Sequence, residues 1–114
     1  MTEKEPTNAM PICCLAWLPR AVKVAKEHGY ALTVHGSLAR DYDFVAVPWT
    51  ENADEPSELA DALLRACGGF IAPHEAKDVP IHKPHGRLCW PIHLGAGQYI
   101  DLSVMQPNPH YPNR

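Results

Sequence analysis

Three aspartates in this chain, Asp41, Asp43 and Asp101, carry a spacing that suits metal and phosphate chemistry. Asp41 and Asp43 sit two positions apart in DYDFVAVPW, a run rich in aromatic and β-branched residues that predicts a strand ended by Pro48. Strand side chains alternate between faces, so the two carboxylates share a face, roughly 6–7 Å apart, while Tyr42 and Phe44 point toward a core. Side by side, they repel each other and offer the oxygen ligands that a hard cation takes. Asp101 lies in QYIDLSVM, where Ile100, Leu102 and Val104 make an apolar face and Asp101 faces the other way with Tyr99 and Ser103. An acid is a poor strand residue with no local reason to be there. Each aspartate alone can be a solvent-facing charge. Together they are expected to converge on one face of the sheet, at one end of a cleft.

Smaller features lie around the acids. Gly36-Ser37 precedes them in the turn between two predicted strands; a glycine lets backbone approach a phosphate, and a hydroxyl with free N–H groups can hold its oxygens. Arg40 can reach a phosphate or form a plain surface pair with Asp41. His35 closes the first strand, where it can line the same cleft or sit satisfied in the core. His74, His82, His85 and His93, with Cys89, raise zinc, yet H-x-x-H at 82–85 has no second pair at zinc-ribbon spacing. Lys83, His85 and Arg87 read instead as a basic rim beside the acids, able to contact a triphosphate or a nucleic-acid backbone, or as an ordinary solvated loop. Trp17, Trp49 and Trp90 read as core or core-edge packing, with Trp49 able instead to cover a base.

The elements that must position these residues follow from periodicity. CLAWLPRAVKVAKEHGY predicts a helix with Pro19 in its first turn and Gly29 as its stop. YALTVHG and DYDFVAVPW are strands. ENADEPS leads into a second helix capped by Asp54 or Ser57, with Leu59, Leu63, Ala66 and Cys67 as its apolar stripe and Gly68-Gly69 as its end. IAPHEAKDVPIHKPHG reads as a loop, followed by a hairpin of RLCWPIHL and QYIDLSVM turning at GAG. Pro91 within that hairpin calls for an edge or a bulge. The order predicts an α+β fold: a small mixed β-sheet with helices packed mainly on one face. Residues 12–106 are expected to form one domain between flexible tails at 1–11 and 107–114.

At 114 residues with 46% hydrophobic content, the chain suits a single globular domain rather than two domains or a disordered chain. A net charge of −3 exerts no broad pull on nucleic acid or anionic membrane, so any such contact must be local. The polar MTEKEPTN start and Cys13, Cys14, Cys67 and Cys89, which form no CxxC pair, predict reduced thiols in a cytoplasmic protein without a secretory signal. No apolar run is long enough to span a bilayer, and no membrane partner is expected.

HGSLARDYDFVAV followed by YIDLSV resembles the polymerase-β-like nucleotidyltransferase superfamily, over roughly residues 15–105. The shared pattern is a Gly-Ser after the first strand, a D-x-D on the next and a third acid on a later strand. The HGS-x-ARD-x-D run is also similar to small uncharacterised phage and prophage proteins. The resemblance implies that Asp41 and Asp43 bind Mg²⁺ (or Mn²⁺), that Gly36 and Ser37 contact a nucleoside triphosphate, and that Asp101 assists an attacking hydroxyl; Asp41, Asp43 and Asp101 are together enough to anchor the metal, and Arg40 can reach the phosphates. It implies nucleotidyl transfer from that triphosphate to a nucleic-acid or protein acceptor. Only Leu38, Ala39 and Arg40 separate Gly-Ser from D-x-D, where the superfamily usually has a longer insert, which implies a shallower pocket. The alternative is a catalytically inactive nucleotidyltransferase-like fold that binds a nucleotide, a nucleic acid or a host protein. Since the histidines are not expected to hold structural zinc, chelator treatment should leave the melting temperature unchanged; a large drop would place a structural metal among them.

Overall fold

The computed structural model describes residues 16–35, 42–71, 80–95 and 98–107. Across them the order is α1 (Leu18–Glu27), β1 (Tyr30–His35), β2 (Tyr42–Pro48), α2 (Pro56–Cys67), β3 (Ile81–Lys83), β4 (Arg87–Gly95) and β5 (Gln98–Met105). The strands form one mixed sheet in the order β1-β2-β5-β4-β3. β2 and β5 run parallel at its centre, and the other neighbours are antiparallel. This is the expected α+β fold. The tails, Cys13 and Cys14 fall largely or wholly outside the described residues, as does His74.

One face of the sheet takes the core. Tyr42, Phe44 and Ala46 of β2, Trp90 and Ile92 of β4, and Ile100, Leu102 and Val104 of β5 are buried in one cluster with Ala21 and Ala25 of α1 and Leu59, Ala60 and Leu63 of α2. The alternation of each strand puts these residues on one side, so both helices lie against the same face. Alanines at the α1 contact let that helix approach closely, and Trp17 closes the margin with its ring 5.8 Å from Tyr42 and 5.9 Å from Phe44.

A polar clamp ties the α1–β1 turn to the segment entering α2. His28 Nδ1 lies 2.8 Å from Asp54 Oδ2, the Asp54 N–H donates to the His28 carbonyl, and the buried Tyr30 hydroxyl donates to the Asp54 carbonyl at 2.6 Å. Burial, and then the charges of Glu55, Asp54 and Glu58, push the Tyr30 hydroxyl well above the usual phenol range. Asp54 therefore serves the clamp rather than capping α2. Glu55 holds the N-cap position without a side-chain bond, and Pro56 opens the helix, where its missing N–H costs nothing.

Two further expectations change. Part of the segment expected as a loop is β3, three residues between Pro80 and Pro84, which pairs Ile81 with Cys89 and Lys83 with Arg87. Trp49 is 78% exposed and packs in no core. Pro91 sits as expected: β3 reaches only to Cys89, and the next backbone partner on that side of β4 is Phe70 at His93. Its absent N–H falls in the gap between them.

Gly29 adopts φ +90°, and a Cβ there would lie 2.6 Å from both Ala53 Cα and Thr50 Oγ1; Gly68 ends α2 at φ +71° with open space around it. Gly68→Ala should cost only the left-handed penalty, about 1–2 kcal/mol. Gly29→Ala should lose about 1–3 kcal/mol more from overpacking against the clamp. Urea denaturation checks this; equal losses would mean that the clamp yields freely.

Candidate functional site

The site lies on the face that the helices leave uncovered. Parallel pairing of β2 with β5 sets Asp43 directly beside Asp101, Phe44 beside Leu102 and Val45 beside Ser103. Neighbouring strands lie roughly 5 Å apart, which sets the spacing of the two acids across the sheet. Asp43 and Asp101 are thus brought together. Asp41, Gly36, Ser37 and Arg40 lie outside the described residues.

A cleft of about 260 Å³ opens above this pair, lined by Asp43, Val45, Asp101 and Ser103 and walled by Lys83 and Arg87. Its floor includes Ser103, a small side chain that contacts the buried Cys89 of β4. Ser103 is 5% exposed and Cys89 1%, and their Oγ and Sγ atoms lie 2.8 Å apart. They are in register across β4 and β5, below the longer side chains around them.

The cationic wall is set by the β3–β4 turn. Lys83 and Arg87 face each other across the ladder, a like-charge placement that is unfavourable alone. Each finds its own partner. Lys83 Nζ lies 3.7 Å from Asp101 Oδ2, and Arg87 Nε donates to the Pro84 carbonyl at 3.0 Å. The turn Pro84–Gly86 carries His85 at φ 69°, a left-handed conformation uncommon outside glycine. Gln106 Nε2 donates to the Gly86 carbonyl at 2.8 Å and ties the turn to the end of β5. Of the expected basic rim, Lys83 and Arg87 line the cleft, while His85 is exposed on the turn.

The acids stand on β2 and β5 and the cations on β3 and β4. Such a site can take a divalent cation on its acidic side and phosphate oxygens on its basic side. Among the described residues no three His, Cys, Asp or Glu side chains are grouped as metal ligands. Sequence reasoning missed the cleft floor. The available signal was Ser103, a small residue on the outward face of β5 between Asp101 and Met105.

No family model, curated protein or solved structure matches this chain. Among the described residues no helix is long and apolar enough to cross a membrane.

Cys67 and Cys89 are free thiols. Burial pushes the Cys89 thiol up, with Asp101 adding to the effect and the Ser103 hydrogen bond, Lys83 and Arg87 working against it. Burial alone pushes Cys67 up to about 12. The thiolate is the reactive form, so at pH 8 iodoacetamide should modify both slowly in the native protein, and at free-thiol rates only on unfolding. Peptide mass spectrometry resolves the two sites. Fast native labelling of Cys89 would show that the sheet face covering it opens.

Proposed function

We propose that this protein is a minimal metal-dependent nucleotidyltransferase, acting on a nucleoside triphosphate and an acceptor hydroxyl. The observation that carries the reading is the register pairing of Asp43 with Asp101 in a cleft walled by Lys83 and Arg87. The resemblance of HGSLARDYDFVAV and YIDLSV to the polymerase-β-like superfamily supports the same chemistry.

The donor set fits a hard cation. Mg²⁺ keeps several waters, takes one or two carboxylates and completes its shell with substrate phosphates. Asp41, Asp43 and Asp101 would hold it. Bound there, it would neutralise phosphate charge and orient the transferring group. The chain's own part is positioning. Lys83 and Arg87 would bind the triphosphate oxygens, and the buried floor would keep water from beneath the reacting centre. Asp101 would take the proton from the acceptor hydroxyl as its oxygen bonds to the α-phosphorus and the bond to the pyrophosphate oxygen breaks. Such chemistry asks the protein for geometry and charge stabilisation rather than for a covalent intermediate.

One observation favours a second reading, in which the fold binds a nucleotide without turning it over. Lys83 sits 3.7 Å from Asp101 and already compensates one of the acids a metal would use.

Divalent metal separates the possibilities. Mn²⁺ should stabilise the wild type by roughly 2–3 kcal/mol at a hundredfold excess over its dissociation constant. Asp43→Asn should abolish the shift, whereas Asp61→Asn, whose carboxylate pairs with Arg65 on α2, should keep it. Nucleoside triphosphate should add stability only with metal present. Pyrophosphate release should fall roughly a hundredfold or more in Asp101→Asn. Identical metal responses in wild type and Asp43→Asn would sink the enzyme reading. Binding without pyrophosphate release would favour the second.

A further inference from the structure

Beside the acidic cleft lies a second depression of about 280 Å³, lined by Ile81, Cys89, Pro91, His93 and Tyr99 and sharing Lys83 and Asp101 with the first. Each cleft falls short of the roughly 300 Å³ at which small-molecule sites begin, and only the two together enter that range. The second differs in chemistry. Its His93 and Tyr99 belong to a row of three rings, continued by Phe70, that crosses neighbouring segments. Phe70 stacks on His93 at 5.5 Å and 26° between planes, and His93 meets Tyr99 at 5.9 Å and 34°.

The row is built by the backbone. Phe70 and His93 exchange both N–H···O bonds, at 2.9 and 2.8 Å, and His93 pairs with Tyr99 across β4 and β5. Gly69 permits the approach: a Cβ there would lie 2.5 Å from Ile92 Cγ2 and 2.8 Å from the His93 carbonyl oxygen. Between Phe70 and the end of β3, Pro91 forms an apolar patch of the depression in the gap of the ladder, where it leaves no N–H unsatisfied.

We infer that this second cleft is the nucleobase subsite of a bound mononucleotide, whose phosphates lie toward Lys83 and Arg87. Rings and a proline face offer stacking surface to any base, whereas the charges lie on the side of the first cleft. Tyr99 and Asp101 are two residues apart on β5, roughly 7 Å by strand rise, a span that a ribose bridges between base and phosphate. The shared Lys83 stands where the ribose meets the phosphates. The inference takes its ligand class from the proposed function but needs neither metal nor turnover.

The test is a ¹H–¹⁵N NMR titration of the full chain in chelator, with adenosine 5′-monophosphate and with ribose 5-phosphate. The adenine nucleotide should bind roughly tenfold tighter and shift the amides of His93, Tyr99 and Phe70, while ribose 5-phosphate should shift Lys83 and Arg87 alone. Tyr99→Ala should bring the nucleotide down to the sugar phosphate's affinity, and Tyr99→Phe should keep it. Equal affinities in the wild type would overturn the subsite even if Tyr99→Ala fails to fold, as would shifts confined to another face. An eight-residue oligothymidylate that binds more tightly per nucleotide than the monomer would overturn the mononucleotide assignment in favour of a strand. Failure here with pyrophosphate release intact removes the subsite alone. Base binding without pyrophosphate release removes the transferase reading alone.

Discussion

The parallel register of β2 against β5 is the constraint on which the rest depends. It packs Tyr42 beside Ile100, Phe44 beside Leu102 and Ala46 beside Val104, all buried. Because strand side chains alternate with period two, the same register forces Asp43 beside Asp101 on the other face. The apolar gain on one side thus holds together two like charges on the other. A slip of β5 by one residue would turn Asp101 inward against Phe44, Trp90 and their neighbours, and the cost of burying an unpaired carboxylate is several kcal/mol. Asp101 thus helps to select the register by penalising the slipped one, even though the register it selects sets it beside Asp43. Structure of this kind can hold a repulsive pair in place without strain in either residue.

That repulsion is offset from the far edge. β3 is too short to add much to the core, and Ile81 and His82 are exposed, so its place in the fold needs another explanation. Its Lys83 reaches across β4 to Asp101. The turn that follows binds Arg87 through the Pro84 carbonyl. A three-residue edge strand thereby supplies the counter-charge to a pair at the sheet centre. Pro80 and Pro84 bracket the strand and limit its extension, which also blunts the exposed edge against pairing with another chain.

Much of this was legible from parity. Tyr42 and Phe44 inward, Asp43 outward, and Ile100, Leu102 and Val104 opposite Asp101 needed only the period of a strand and a run long enough to reveal it. β3 escaped because three residues between prolines show no period, and its pairing comes from β4 rather than from its own propensity. The α2 cap was misread for a similar reason. Asp54 is a good capping residue by type, but the His28 side chain, far away in sequence, claims its carboxylate. Trp49 follows Pro48 at the end of β2, and nothing local distinguishes an indole that finds the core from one that does not. The adjacency of Asp43 and Asp101 needed strand order, which residue spacing does not carry.

The uncovered face is asymmetric for reasons that begin in composition. An apolar helix cannot lie over Thr33, Asp43, Asp101, Lys83 and Arg87 without stripping water from charges, and both helices of the described fold lie on the other side. The face left open is still not flat. Ser103 and Cys89 sink its middle, while Gly69 draws Phe70 against β4 and raises one border. Pro91 leaves a gap in the ladder between that border and β3. Small residues, a proline and a glycine thus shape one surface into a charged half and an aromatic half. Lys83 and Asp101 belong to both. A ligand with one charged end and one planar end matches that division, and one with either end alone would use only half of what the sheet presents.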